Sequence, residues 1–79
     1  MITGPQLRAA RALLDWSQER LATASGVTER TIRSVEDDNA RPHERTMTRL
    51  RDAVEAAGIE FIESETAIGV LVNRAPTER

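Results

Sequence analysis

Apolar residues recur at helical spacing through residues 1–57, and the period then changes. In the first segment Leu7, Ala10 and Leu14 fall on one face, with Leu13 widening it. Thr3 and Gln6 stand at the spacing of a capping box, and Ile2 and Leu7 at that of a hydrophobic staple. Pro5 suits a first turn, where its missing N–H costs nothing. The pattern predicts a helix over about residues 4–15. Ser17 is placed to cap a second helix of about eight residues, with Leu21, Ala22 and Ala24 facing inward. Gly26 ends it by supplying the positive φ that a turn after a helix often needs. Thr28 caps a third helix through about Glu36, with Ile32 and Val35 inward.

Pro42 restricts Arg41 to extended backbone, so "DDNARPHER" reads as a loop. A fourth helix is expected from about Glu44 to Ala57, with Met47, Leu50, Val54 and Ala57 as its stripe and Gly58 at its C-terminal cap. The tail then alternates. "IEFIE" places Ile59 and Phe61 on one face, and "IGVLV" does the same with Ile68, Val70 and Val72, so a β-hairpin is expected. The organisation expected is a helical unit over residues 1–58, a β element over 59–73 that serves dimerisation, and a frayed tail over 74–79.

With 79 residues the chain holds one small domain, and 39% hydrophobic with 30% charged residues excludes the disordered class. No apolar run approaches the roughly 20 residues that span a bilayer, and the first residues lack the cleavage pattern of a signal peptide. There is no cysteine for a disulfide or thiolate chemistry. The cytoplasm, with association to the nucleoid, is the expected compartment. A net charge of −2 argues weakly against a nucleic-acid partner, but the distribution reverses that reading. Residues 1–51 hold nine Arg against seven acids, and residues 52–79 two Arg against six.

The stretch "SQERLATASGVTERTIRSVED" joins two short helices through a turn that contains glycine, the arrangement of a helix-turn-helix. On the third helix Glu29, Arg30, Arg33, Ser34 and Asp37 fall within an arc of about 140° opposite Ile32 and Val35. A polar outer face alone is ordinary for a surface helix, and Glu29 with Arg33 would equally pair with each other at i,i+4. The preceding turn makes the difference, because it braces the helix so that it projects toward a major groove. Ala22 is small where the two helices come closest.

Residues 6–57 resemble the Cro/cI-type (xenobiotic-response-element) helix-turn-helix family of bacterial and phage regulators. The resemblance lies in Trp16-Ser17-Gln18, Leu21-Ala22, Gly26-Val27-Thr28, Thr31-Ile32, Glu36, Pro42 and the amphipathic helix that follows. It implies a mainly α, lambda-repressor-like domain of four to five helices, here with a short C-terminal β-hairpin or dimer-pairing strands. It implies double-stranded DNA as the partner, with Thr28, Glu29, Arg30, Arg33 and Ser34 facing it. Arg can fork onto guanine, Glu can accept from cytosine, and Thr or Ser can bond a base or phosphate. Gln18 matches a phosphate-contacting position, and Asn39 and Arg41 lie in the loop that skirts the backbone. Here the chain departs from the family, because Asp37 and Asp38 stand where glycine and basic residues are common. Arg11 and Glu36 match a partly buried structural ion pair.

A single histidine, His43, makes neither a metal site nor a triad, so no enzyme, metal or cofactor is expected. Trp16 reads as a core plug. A homodimer is expected, since one unit reads few base pairs and two half-sites are usually combined, and the resemblance implies regulation of transcription, as a repressor with no sensor domain. Phe61, Ile62, Val70, Leu71 and Val72 are the expected dimer interface. The alternative is a protein-interaction module, such as an antitoxin, whose acidic tail binds a small protein partner while the helix-turn-helix serves autoregulation.

Overall fold

The computed structural model of the protein describes residues 2–38 and 42–73. The elements run α1 (Gly4–Leu14), α2 (Gln18–Ser25), α3 (Glu29–Glu36), α4 (Glu44–Ala56), β1 (Ile59–Glu63) and β2 (Ile68–Val72). The first three helix starts have a local cause. The Thr3 hydroxyl accepts the Gln6 N–H at 3.2 Å while Gln6 Oε1 accepts the Thr3 N–H at 2.9 Å, which completes the capping box. Ser17 and Thr28 accept the N–H groups of Arg20 and Thr31 in the same way. The stops are equally local. α1 ends at Leu14 because Asp15 turns left-handed (φ 58°), a region that aspartate tolerates better than most residues. Gly26 (φ 77°) ends α2 and sends its N–H to the Ala22 carbonyl at 2.9 Å.

The core joins every element except β2 through buried side chains. Leu7 and Ala10 of α1 meet Leu21 of α2, Ile32 and Val35 of α3, and Met47, Leu50 and Val54 of α4. Val27 from the turn and Ile59 from β1 complete it. Leu14, Trp16 and Ala22 pack against its edge.

Three apolar positions differ from the expected facing. Leu13 is 46% exposed. Consecutive residues on a helix diverge by about 100°, so once Leu7, Ala10 and Leu14 share the buried arc, Leu13 points past it. Ala24 is exposed and Ser25 half-buried in its stead, because Ser25 lies four residues after Leu21 and repeats its facing. The Ser25 hydroxyl is not stranded there, since it accepts the Val27 N–H at 3.1 Å. Ile68 is 54% exposed although it shares a face with Val70. It lies at the turn end of the hairpin, opposite Glu63, and does not join the residues packed against the core.

β1 and β2 form a two-stranded antiparallel sheet, paired from Ile59↔Val72 through Phe61↔Val70 to Glu63↔Ile68. Its inner face carries Ile59, Phe61, Val70 and Val72 against the helices. The residues expected at a dimer interface divide by the way they face. Phe61, Val70 and Val72 turn their side chains to their own core, and only Ile62 and Leu71 point outward, 45% and 36% exposed. Residues 74–79, expected to fray, lie outside the described residues.

Candidate nucleic-acid interface

Ile32 and Val35 anchor α3 in the core, which leaves the opposite side of that helix to solvent. Thr28, Glu29, Arg30 and Arg33 are exposed there, and Ser34 is half-buried at the border. Thr28 has a local role as the α3 cap, and its hydroxyl also donates to the Thr31 hydroxyl at 3.1 Å. The salt bridges among the described residues are Arg11–Glu36 and Arg51–Glu55, so the surface pair of Glu29 with Arg33 does not form. Arg30 and Arg33 therefore present guanidinium groups that no described side chain occupies. A guanidinium in this state can offer its planar fork of donors to phosphate or to guanine.

Behind that face, one carboxylate gathers three elements. Glu36, at the end of α3, is only 3% exposed. Its Oε2 accepts Arg11 Nε at 2.7 Å and its Oε1 accepts Arg11 Nη2 at 2.9 Å. Gln18 Nε2, from the first residue of α2, donates to the same Oε1 at 3.1 Å. Arg11 Nη1 reaches the Trp16 carbonyl at 2.9 Å, which ties in the link between α1 and α2. The Glu36 hydrogen bond holds the Arg11 guanidinium above its ordinary range, against the opposing effect of burial and with Coulomb attraction adding to it. No buried polar side-chain atom among the described residues lacks a partner. Such a network costs little only when every member is satisfied.

Sequence reasoning missed two members of this support. Arg8 Nη1 donates to the main-chain carbonyl of Glu36 at 2.8 Å, a cation placed at the negative end of α3. The one signal for it was Arg8 standing three residues before Arg11, on the same side of α1. Gly4 is buried against the end of α3, where a β-carbon would collide with the Val35 carbonyl oxygen and lie 3.1 Å from that of Glu36. Nothing local marks that approach.

The remaining candidates separate. Gln18 was expected at phosphate, and its amide turns to Glu36, half-buried. Asp37 and Asp38 are exposed just past α3, where they set negative charge beside the basic face. Asn39 and Arg41 lie outside the described residues. Trp16 packs against the core and Arg20 covers its ring, with the guanidinium carbon 5.1 Å from the centroid, a cation–π distance. His43 is exposed at the N-terminal end of α4 and makes no side-chain capping bond. The described residues hold no cluster of His, Cys, Asp or Glu able to bind a metal ion. None of the described helices is long and apolar enough to cross a membrane.

Two short helices at a glycine turn, the second braced from behind and basic in front, define a helix-turn-helix. The helix-turn-helix family model matches residues 7–55, more than half of the chain. The chain belongs to this family, the Cro/cI-type group of DNA-binding transcription regulators. Among curated proteins none matches it.

Proposed function

We propose that the protein is a sequence-specific repressor of transcription that binds duplex DNA as a homodimer. The reading rests on one observation above others: Arg30 and Arg33 stand exposed, with no ion-pair partner among the described residues, on a helix fixed from behind by Glu36 and its donors. In a major groove these two read bases, while Thr28, Ser34 and the first turn of α2 meet phosphates. Glu29 selects against bases that lack an amino group. Asp37 and Asp38 lower the affinity of a single unit, so two units together supply the binding strength. Repression follows from occupancy of a promoter, which requires no second domain.

Selection of binding sites from random duplexes tests this reading. A recovered palindrome with half-sites about one helical turn apart supports it. The affinity for that site should fall steeply with salt, and a slope of log affinity against log salt near zero would remove phosphate contact and the proposal with it.

A second reading has its own support. Glu60, Glu63 and Glu65 are exposed on the hairpin beside the exposed Ile62 and Ile68, an acidic and apolar surface suited to a basic protein partner. A small basic protein that copurifies in fixed stoichiometry, and whose activity this chain suppresses, would favour an antitoxin.

A further inference from the structure

The hairpin has two edges, and they are not alike. The Ser64 N–H donates to the Ala67 carbonyl at 2.8 Å and the Asn73 N–H to the Gly58 carbonyl at 2.7 Å. These bonds, with the register Ile62↔Gly69 and Glu60↔Leu71, fix which residues exchange hydrogen bonds inside the hairpin. The main-chain groups of Ile68, Val70 and Val72 consequently point away from β1. On the other edge, β1 carries Glu60 and Glu63, charges of the kind that guard an open strand. β2 reads "IGVLV" and carries neither charge nor proline.

The outer face of β2 is shaped to match itself. Leu71 projects from it, 36% exposed, and two residues earlier Gly69 leaves a gap, with nothing within 4 Å of where a β-carbon would stand. Ile62, across the hairpin from Gly69, borders that gap and is 45% exposed.

We infer that β2 pairs antiparallel with β2 of a second copy about a two-fold axis at Val70, giving a four-stranded sheet. This deepens the homodimer proposed above and rests on it. In this register Val70 bonds its own counterpart and Ile68 bonds Val72 of the second copy, so all three outward residues are paired. A register centred on Gly69 or on Leu71 pairs only two of the three. Leu71 lies over Gly69 of the second copy and beside its Ile62, so the exposed apolar groups cover one another. The acidic strands are then outermost, three strand spacings or about 14 Å apart. That exceeds the screening length of about 8 Å at physiological salt, so their repulsion is weak. The projection and the gap lie on one strand, symmetric about Val70, which is why a second copy fits this surface.

The chain has no cysteine, so introduced thiols report on this contact alone. In the full chain carrying both Gly69→Cys and Leu71→Cys, facing residues would lie about 4.5 Å apart between α-carbons, within disulfide reach. Mild oxidation should yield a covalent dimer from the double variant and not from either single variant. Leu71→Lys is the complementary test. The lysine faces Glu60 within its own hairpin, so the monomer stays folded, while in the dimer it would be forced over an apolar gap. Sedimentation equilibrium should show a dimer for the unsubstituted chain and, for Leu71→Lys, a dissociation constant raised about tenfold or more, equivalent to about 1.4 kcal/mol. A dimer that persists unchanged in Leu71→Lys, or a double variant that links no better than the single ones, overturns this pairing and leaves the homodimer standing. An unsubstituted chain that is monomeric both free and on its selected site overturns the homodimer itself.

Discussion

Arg11 of α1 grips Glu36 of α3 with one edge of its guanidinium, Nε 2.7 Å from Oε2 and Nη2 2.9 Å from Oε1. The pair spans 25 positions of sequence and holds the last turn of α3 against α1. Because the Glu36 side chain is only 2% exposed, it depends on these donors in place of water.

Removal of the cation should therefore be costly. Arg11→Ala leaves a buried carboxylate with Gln18 as its one remaining side-chain donor and should lower stability by about 3–5 kcal/mol in urea titrations. Arg11→Lys should recover part of this, since an ammonium cannot reproduce the two-pronged contact. A loss below about 1 kcal/mol for the alanine variant would mean that the pair does not brace α3.

The outer arginines should behave in the opposite way. Arg30→Ala and Arg33→Ala remove exposed groups that have no described ion-pair partner, so thermal unfolding should be nearly unchanged. Each should weaken binding to the selected duplex by about 1–3 kcal/mol and relax discrimination at one base position. Site selection repeated with each variant reads this directly. A uniform loss across all sequences would assign the residue to phosphate and not to a base.

Two glycines should tolerate a methyl group differently. At Gly26 the space is open, and the cost of Gly26→Ala is the left-handed backbone alone, about 1 kcal/mol. At Gly4 the methyl group collides with the main chain of Val35, which cannot rotate aside as a side chain could. Gly4→Ala should cost about 1–3 kcal/mol and displace the end of α3. Amide chemical shifts of residues 33–37 should move in Gly4→Ala and stay in place in Gly26→Ala. The reverse pattern would place the tight contact elsewhere.

Arg8 offers a milder version of the same test. Arg8→Met removes one donor and one cation from the end of α3 and should cost about 1 kcal/mol, with Arg8→Lys close to the unsubstituted chain. Equal stability of all three chains would show that the Glu36 carbonyl is served as well by water.

Helix starts and stops were legible because each depends on residues within one turn. Thr3 with Gln6, Ser17, Thr28 and Gly26 act on backbone groups three or four positions away. Buried stripes were legible where the apolar period was clean, as with Ile32 and Val35, and misled at Leu13, Ala24 and Ile68. Those three are apolar but stand at the margin of an arc or at the turn end of the hairpin. Arg8 offered only its spacing from Arg11 and Gly4 no sign at all, since an arginine and a glycine near the start of a helix are ordinary by themselves.

The sequence by itself determined four helices, three of them capped at their starts, the glycine turn, an alternating tail and a basic outer face on the third helix. Periodicity and capping are short-range, so they can be read along a chain. Only the tertiary structure decided that Gln18 turns to Glu36, that Arg8 holds the end of α3, and that half of the hairpin's apolar residues serve their own core. These outcomes depend on which surfaces meet once the helices pack. Residues 18 to 63 positions apart then come within bonding distance, as Gln18 does with Glu36 and Gln6 with the Gly69 carbonyl.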